Sequence, residues 1–167
     1  MPRSRPQKTW IVVADGARAR FFTPSEDAKK LVSALAADMF AAEARGHSSD
    51  LKSDKPGRSY SSSRSGARHA LEPPHDYHKL EKHKFTAELA KVLEKACERG
   101  EFDQLVLVAP HRSLGELRTL LSDRVSRRVR QEIAKDLTNE TVANLWRRLA
   151  SEVKPILQAT PRPEGGR

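Results

Sequence analysis

The run Leu105-Val106-Leu107-Val108-Ala109, closed by Pro110, leaves its chain few folds to choose from. It has no polar alternate residue, so a strand built from it has no face to give to water. It is also far too short to cross a bilayer, which takes about 20 apolar residues in a helix. A strand buried on both faces needs a neighbour at each edge and a covering layer on each side. That points to an α/β sandwich around a mixed sheet. The chain, at 167 residues, is long enough for one such domain. With 37% hydrophobic and 5% aromatic residues, its core is expected to be small and aliphatic, with polar segments outside it.

Other segments can be fitted around that strand. Trp10-Ile11-Val12-Val13-Ala14 has a buried-strand composition. Asp15-Gly16 follows and predicts a hairpin, because glycine accepts a positive φ without a Cβ clash. In the returning strand Ala17, Ala19 and Phe21 alternate with Arg18, Arg20 and Phe22. Residues 31–40 and 128–137 each fit two periods. Leu31, Leu35 and Met39 suit a helix, whereas Leu31, Ser33, Leu35, Ala37 and Met39 suit a strand. Val129, Ile133 and Leu137 suit a helix, whereas Val129, Gln131 and Ile133 suit a strand. Phe85, Leu89, Val92, Leu93 and Ala96 line one face of a helix that ends near Gly100. Ser113 and Glu116 have the spacing of a capping box ahead of Leu117, Leu120 and Leu121. A last helix is expected after a cap near Thr138 or Asn139, with Val142, Leu145, Trp146 and Leu149 inward and Pro155 bending or ending it. Cys97 is the single cysteine, so the chain forms no internal disulfide; its place one turn after Leu93 reads as a buried thiol.

Charge is the main functional signal. The net charge is +9 and the isoelectric point about 10.0. Residues 1–70 hold 13 Lys or Arg against 7 Asp or Glu, and the rest of the chain is closer to balance. From about Arg45 to Pro74 periodicity is lost, and eight serines fall between Ser48 and Ser65. Lys52, Lys55, Arg58, Arg64 and Arg68 are spread through this stretch, with Asp54 the one acid among them. Arg and Lys neutralise phosphates, small hydroxylated residues let a backbone come close, and Tyr60 is placed to stack on a base. A polar segment of this length inside one domain reads either as a solvated loop or as an RNA-binding element. The N-terminus lacks the apolar run of a signal peptide, so the protein is expected in the cytoplasm, without membrane insertion.

Several segments together resemble the bacterial host attachment protein family: WIVVADGARARFF, DLKSDKPGRSYSSSRSGARHALEP, HDYHKLEKHKF, FDQLVLVAP followed by LGELR, and KDLT. The match runs from Trp10 to about Ala150. That family is similar in turn to the central domain of archaeal and eukaryotic peptide-chain release factors and of the ribosome-rescue factor Pelota. The resemblance implies a single α/β domain with a mixed five-stranded sheet and three main helices, in the order βββαβαβα, and it makes strands of both ambiguous segments. The expected organisation is a disordered tail over 1–8, the domain over 9–154 with its basic loop at 45–74, and a C-terminal tail over 155–167. In the release factors the loop before the first helix carries Gly-Gly-Gln, which positions water against the peptidyl-tRNA ester. Here that loop holds Ser65-Gly66-Ala67 and no glutamine; Gln7, Gln104, Gln131 and Gln158 lie elsewhere. The hydrolytic role therefore does not carry over.

The leading expectation is a ribosome- or RNA-associated module that binds ribosomal RNA or tRNA through Lys52, Lys55, Arg58, Tyr60, Arg64, Arg68 and His69, with no cofactor. Two alternatives stand beside it: a factor for attachment to host cells acting through protein contacts, and an RNA or ester hydrolase with His69 or His75 as acid or base. His75 and His78, three residues apart, are the candidate metal ligands, although no HExxH or Cys/His spacing accompanies them. Arg124, Arg127, Arg128 and Arg130 form a second basic run, read either as flanking a nucleic-acid path or as a solvated helix end. Phosphate-loop, dinucleotide and GxSxG motifs are missing from the sequence. Oligomeric state is left open, since an edge strand of a small mixed sheet is able to pair with another copy.

Overall fold

A computed structural model describes residues 5–42 and 74–159. The elements run β1 (Thr9–Ala14), β2 (Arg18–Pro24), β3 (Leu31–Ser33), β4 (Met39–Phe40), α1 (Pro74–Glu98), β5 (Gln104–Ala109), α2 (His111–Leu120), α3 (Asp123–Ser126), β6 (Val129–Ala134) and α4 (Val142–Gln158). The sheet order is β3-β2-β1-β5-β6, with β4 also on β2. Strand β1 runs antiparallel to β2 and parallel to β5, and β5 runs parallel to β6. The α/β class with a mixed sheet is as the sequence predicts.

The central run behaves as its composition requires. Every residue of β5 is buried. Leu105, Leu107 and Ala109 face one apolar cluster, built with Phe85, Leu89 and Leu93 of α1, Leu114 and Leu117 of α2 and Val125 of α3. Val106 and Val108 face the other, built with Ile133, Leu145, Leu149 and Val153. Three helices therefore cover one face and α4 covers the other. The edges are closed by parallel ladders to β1 and β6.

The two ambiguous segments are extended, but the strand count differs. Six strands occur among the described residues instead of five, because the stretch over 31–40 divides. Strand β3 pairs with Phe22–Pro24 and β4 with Arg18–Ala19. Five residues, 34–38, thus lie opposite two, Arg20 and Phe21, and the excess bulges away from the ladder. The bulge carries Asp38 to the two arginines of β2.

Three predicted ends are also corrected. Helix α2 begins two residues before Ser113, after extended Pro110, and no side chain caps it. Leu114 N–H donates to Pro110 O at 3.1 Å, so Ser113 already lies within the first turn. The cap of α4 is Thr141, whose hydroxyl accepts the Asn144 N–H, and Thr138 is spent elsewhere. Pro155 sits inside α4, so residues 155–158 are helix and not tail. Val153, Ile156 and Leu157 pack on the second cluster around it, which holds the turn together despite the missing N–H donor. Lys8, within the expected N-terminal tail, is tied down: its N–H donates to Asp103 Oδ2 at 2.8 Å. Gly100, at φ +66°, closes α1 as predicted, with Glu101 N–H donating to Ala96 O and Gly100 N–H to Cys97 O.

Packing, more than helix propensity, decides which side of α1 matters. Leu93 is fully buried and Leu80 is 53% exposed. Leu93→Ala is expected to lower the unfolding free energy by about 3 kcal/mol and Leu80→Ala by less than about 0.5 kcal/mol, measured by urea denaturation.

Candidate functional site

The parallel strands β1, β5 and β6 all end at one edge of the sheet. There a cleft of about 330 Å³ is lined by Asp15, Gly16, Ala17, Lys82, Pro110, Arg112, Ser113, Glu116 and Asp136. Asp15, Gly16 and Ala17 follow β1, Pro110 to Glu116 follow β5, and Asp136 follows β6. Crevices at the carboxyl ends of parallel strands are the usual ligand position in α/β sheets.

The β1–β2 hairpin forms where Asp15-Gly16 predicts it, but by another device. Gly16 has no positive φ. The turn is held by Asp15 Oδ1, which accepts N–H bonds from Ala17 at 2.6 Å and Arg18 at 2.8 Å. Glycine is required at 16 by close approach: a Cβ there would lie 2.8 Å from both Cγ and Cδ of Lys82. The Lys82 stem of α1 therefore rests on the hairpin tip.

Behind the turn is a buried polar network. Thr138, fully buried, donates its hydroxyl proton toward Asp15 Oδ2 at 2.8 Å, with Asp136 Oδ1 the other acceptor in range at 3.1 Å. Arg20 Nη1 donates to the carbonyls of Glu140 at 2.6 Å and Thr138 at 3.2 Å. Its guanidinium lies 5.0 Å from the Phe22 ring centroid, and its Nε, with no hydrogen-bond acceptor, is 3.7 Å from Asp38 Oδ2. Burial pushes the Arg20 pKa below its usual value and neighbouring Arg18 adds to this, while Asp38 opposes it. Arg18 donates to the same Asp38 oxygen at 2.7 Å and to Thr138 O at 3.3 Å. Two strand residues that alternation alone assigns to a polar face are thus internal clamps between β2 and the β6–α4 connection.

Glu116 is similarly engaged, 3.5 Å from Arg112 Nε and 3.4 Å from the Thr86 hydroxyl. The cleft lining contains no histidine or cysteine, so it does not assemble a Ser–His or Cys–His pair around Ser113. Among the described residues no three His, Cys, Asp or Glu side chains come together as a metal site.

The family of the description "Protein required for attachment to host cells" matches residues 10–149. The chain belongs to this family. The motif resemblance to host attachment proteins is thereby shown. Among solved structures, an archaeal translation termination factor, aRF1, is similar at 8% identity and a TM-score of 0.45, over 89% of this chain and 39% of that one. A second, described only as an archaeal protein, is similar at 11% identity and a TM-score of 0.38, over the same 89% and 39%. This chain spans well under half of each, and scores so low carry no argument about function. A comparison with curated proteins returns no match.

Of the residues predicted from sequence, Lys52, Lys55, Arg58, Tyr60, Arg64, Arg68 and His69 lie outside the described residues. His75 belongs to the first turn of α1, but its side chain is outside them too. His78 is exposed on α1 and engaged in a contact of its own. The second basic run is divided. Arg124 pairs with Glu94 at 3.7 Å and Glu98 at 3.4 Å, and Arg128 donates to Asp103 O at 3.3 Å, whereas Arg127 and Arg130 are exposed. Trp10 is buried against Phe21 and Phe102, and Trp146 packs on the second cluster, as packing residues. Cys97 is buried, as its helix position predicts. The cleft residues Asp15, Lys82, Arg112 and Asp136 were not singled out by sequence reasoning. Asp15-Gly16 and the KDLT run were visible as motifs, but their convergence needed the fold.

Thr138→Val keeps the shape of the side chain and removes its proton. The variant is expected to lose about 1–3 kcal/mol in chemical denaturation, and amide exchange at Ala17 and Arg18 should quicken, because Asp15 loses one of its donors.

Proposed function

We propose that this protein is a cytoplasmic, ribosome- or RNA-associated binding module, active in translation or ribosome rescue, that holds RNA without hydrolysing an ester. The observation that carries this reading is the charge of the segment inserted between β4 and α1. Five cations against Asp54 lie between Lys52 and Arg68, and the segment contains neither a Gly-Gly pair nor a glutamine. The fold supports it by anchoring both flanks of the segment. On one side Ala41 N–H donates to Ala17 O at 2.7 Å, and on the other Pro74 opens α1. Lys52, Lys55, Arg58, Arg64, Arg68 and His69 contact phosphates in this reading, and Tyr60 stacks on a base. Among the described residues no helix is long and apolar enough to cross a membrane.

The family description supports a second reading, in which the protein serves attachment to host cells through protein contacts. Salt dependence separates the two. Phosphate binding by counterion release weakens steeply with salt, with a logarithmic slope of about 0.7 per contact on single strands. Co-sedimentation with ribosomes at graded salt is expected to detect binding at low salt. Replacing the five Lys and Arg residues with Ser should flatten the slope by about 3. No sedimentation at low salt overturns the RNA reading, and salt-insensitive binding to host-cell surface protein would favour attachment.

A further inference from the structure

We infer that the cleft wall carrying Lys79, Lys82 and Arg112 is a second phosphate-gripping surface, for the backbone of single-stranded RNA; this rests on the RNA-binding reading above. The three carboxylates in the cleft are already occupied. Asp15 takes the N–H groups of Ala17 and Arg18 and the Thr138 hydroxyl; Asp136 faces that hydroxyl at 3.1 Å; and Glu116 faces Arg112 and Thr86. The cations are not matched in this way. Lys79 and Lys82 have no hydrogen bond or ion pair among the described residues. Arg112 is 68% exposed, and its 3.5 Å pair with Glu116 is a surface contact that competes poorly with a phosphate.

Geometry makes these charges accessible together. Lys79 and Lys82 are three apart on one helix face. The Lys82 stem is seated on Gly16, and both Lys82 and Arg112 line the cleft, so the ammonium group is carried at its wall and not folded away on the helix surface. Residues 78–80 and 82–84 are all exposed, so this half of α1 stands clear of the body and a strand can reach it from several directions. Ser113, in the same lining and without a bond of its own, supplies a neutral donor. At about 330 Å³ the cleft is in the size range of small-ligand sites. It is also continuous with the proposed binding segment. Ala17, which receives Ala41, lies in its wall, and Pro74 is eight residues or about 12 Å of helix before Lys82.

The test is fluorescence titration of a labelled single-stranded RNA oligonucleotide at several salt concentrations, with ribosome co-sedimentation alongside. The full chain is compared with K79S/K82S/R112S, and with K154S as a control on the opposite helix layer, where Lys154 is also exposed. All four positions are on the surface, and unchanged thermal unfolding checks the fold. The triple variant should bind at least tenfold more weakly at low salt and lose about 2 from the salt slope, while K154S behaves as the parent. A parent that binds with a triple variant indistinguishable from it overturns this inference and leaves the RNA reading standing. A K154S loss equal to one third of the triple effect means charge without a site, and also overturns it. A parent that does not bind at low salt overturns both.

Discussion

Strand β5 is enclosed on four sides, with β1 and β6 hydrogen-bonded along its edges and an apolar cluster against each face. Its backbone groups lie out of water and must be paired in the ladders, since an unpaired buried amide or carbonyl costs about as much as a lost hydrogen bond. Its side chains have no polar face to offer, so helices must lie on both sides. The crossovers β1-to-β5 and β5-to-β6 are both parallel, and their helices α1, α2 and α3 fall on one face. The other face would be bare if α4 did not return across it, with Leu145, Leu149 and Val153 as its buried stripe.

Stacking three parallel strand ends at one edge has a consequence for function. The connections after β1, β5 and β6 are forced into proximity, and the cleft is the space between them. Its floor is not left to loop flexibility. Arg20 and Arg18 reach from β2 to the carbonyls of the β6–α4 connection, and Thr138 reaches back to the β1–β2 turn. These bonds tie together segments more than a hundred residues apart in sequence. They also absorb the charges that would otherwise crowd the cleft, which leaves the lysines of α1 as its unmatched groups.

Periodicity was enough for the elements whose burial is one-sided or complete. Phe85, Leu89 and Leu93 recur at helical spacing because one face of α1 meets the sheet, and the unbroken β5 run reflects burial on two faces. Residues 31–40 and 128–137 were ambiguous because alanine and mixed spacing satisfy both periods; their strand state comes from pairing partners, which are distant in sequence. The extra residues at 34–38 were illegible for the same reason. A bulge is defined by the partner strand, and nothing in Ser33 to Asp38 names Arg20 and Phe21 as the two residues opposite. Gly16 shows how a correct local prediction can have the wrong cause, since its missing Cβ serves Lys82 and not a left-handed turn.

By itself the sequence determined the doubly buried strand, the α/β class, the basic segment between Lys52 and Arg68 and the absence from it of the release-factor glutamine, because hydrophobic period, charge and residue identity are local properties. Only the tertiary structure decided that Asp15, Lys82, Arg112 and Asp136 share one cleft, and that Arg18 and Arg20 are internal clamps. Strand order and crossover direction bring those residues together, and both are set by packing across the sheet, not by the neighbours of any one residue.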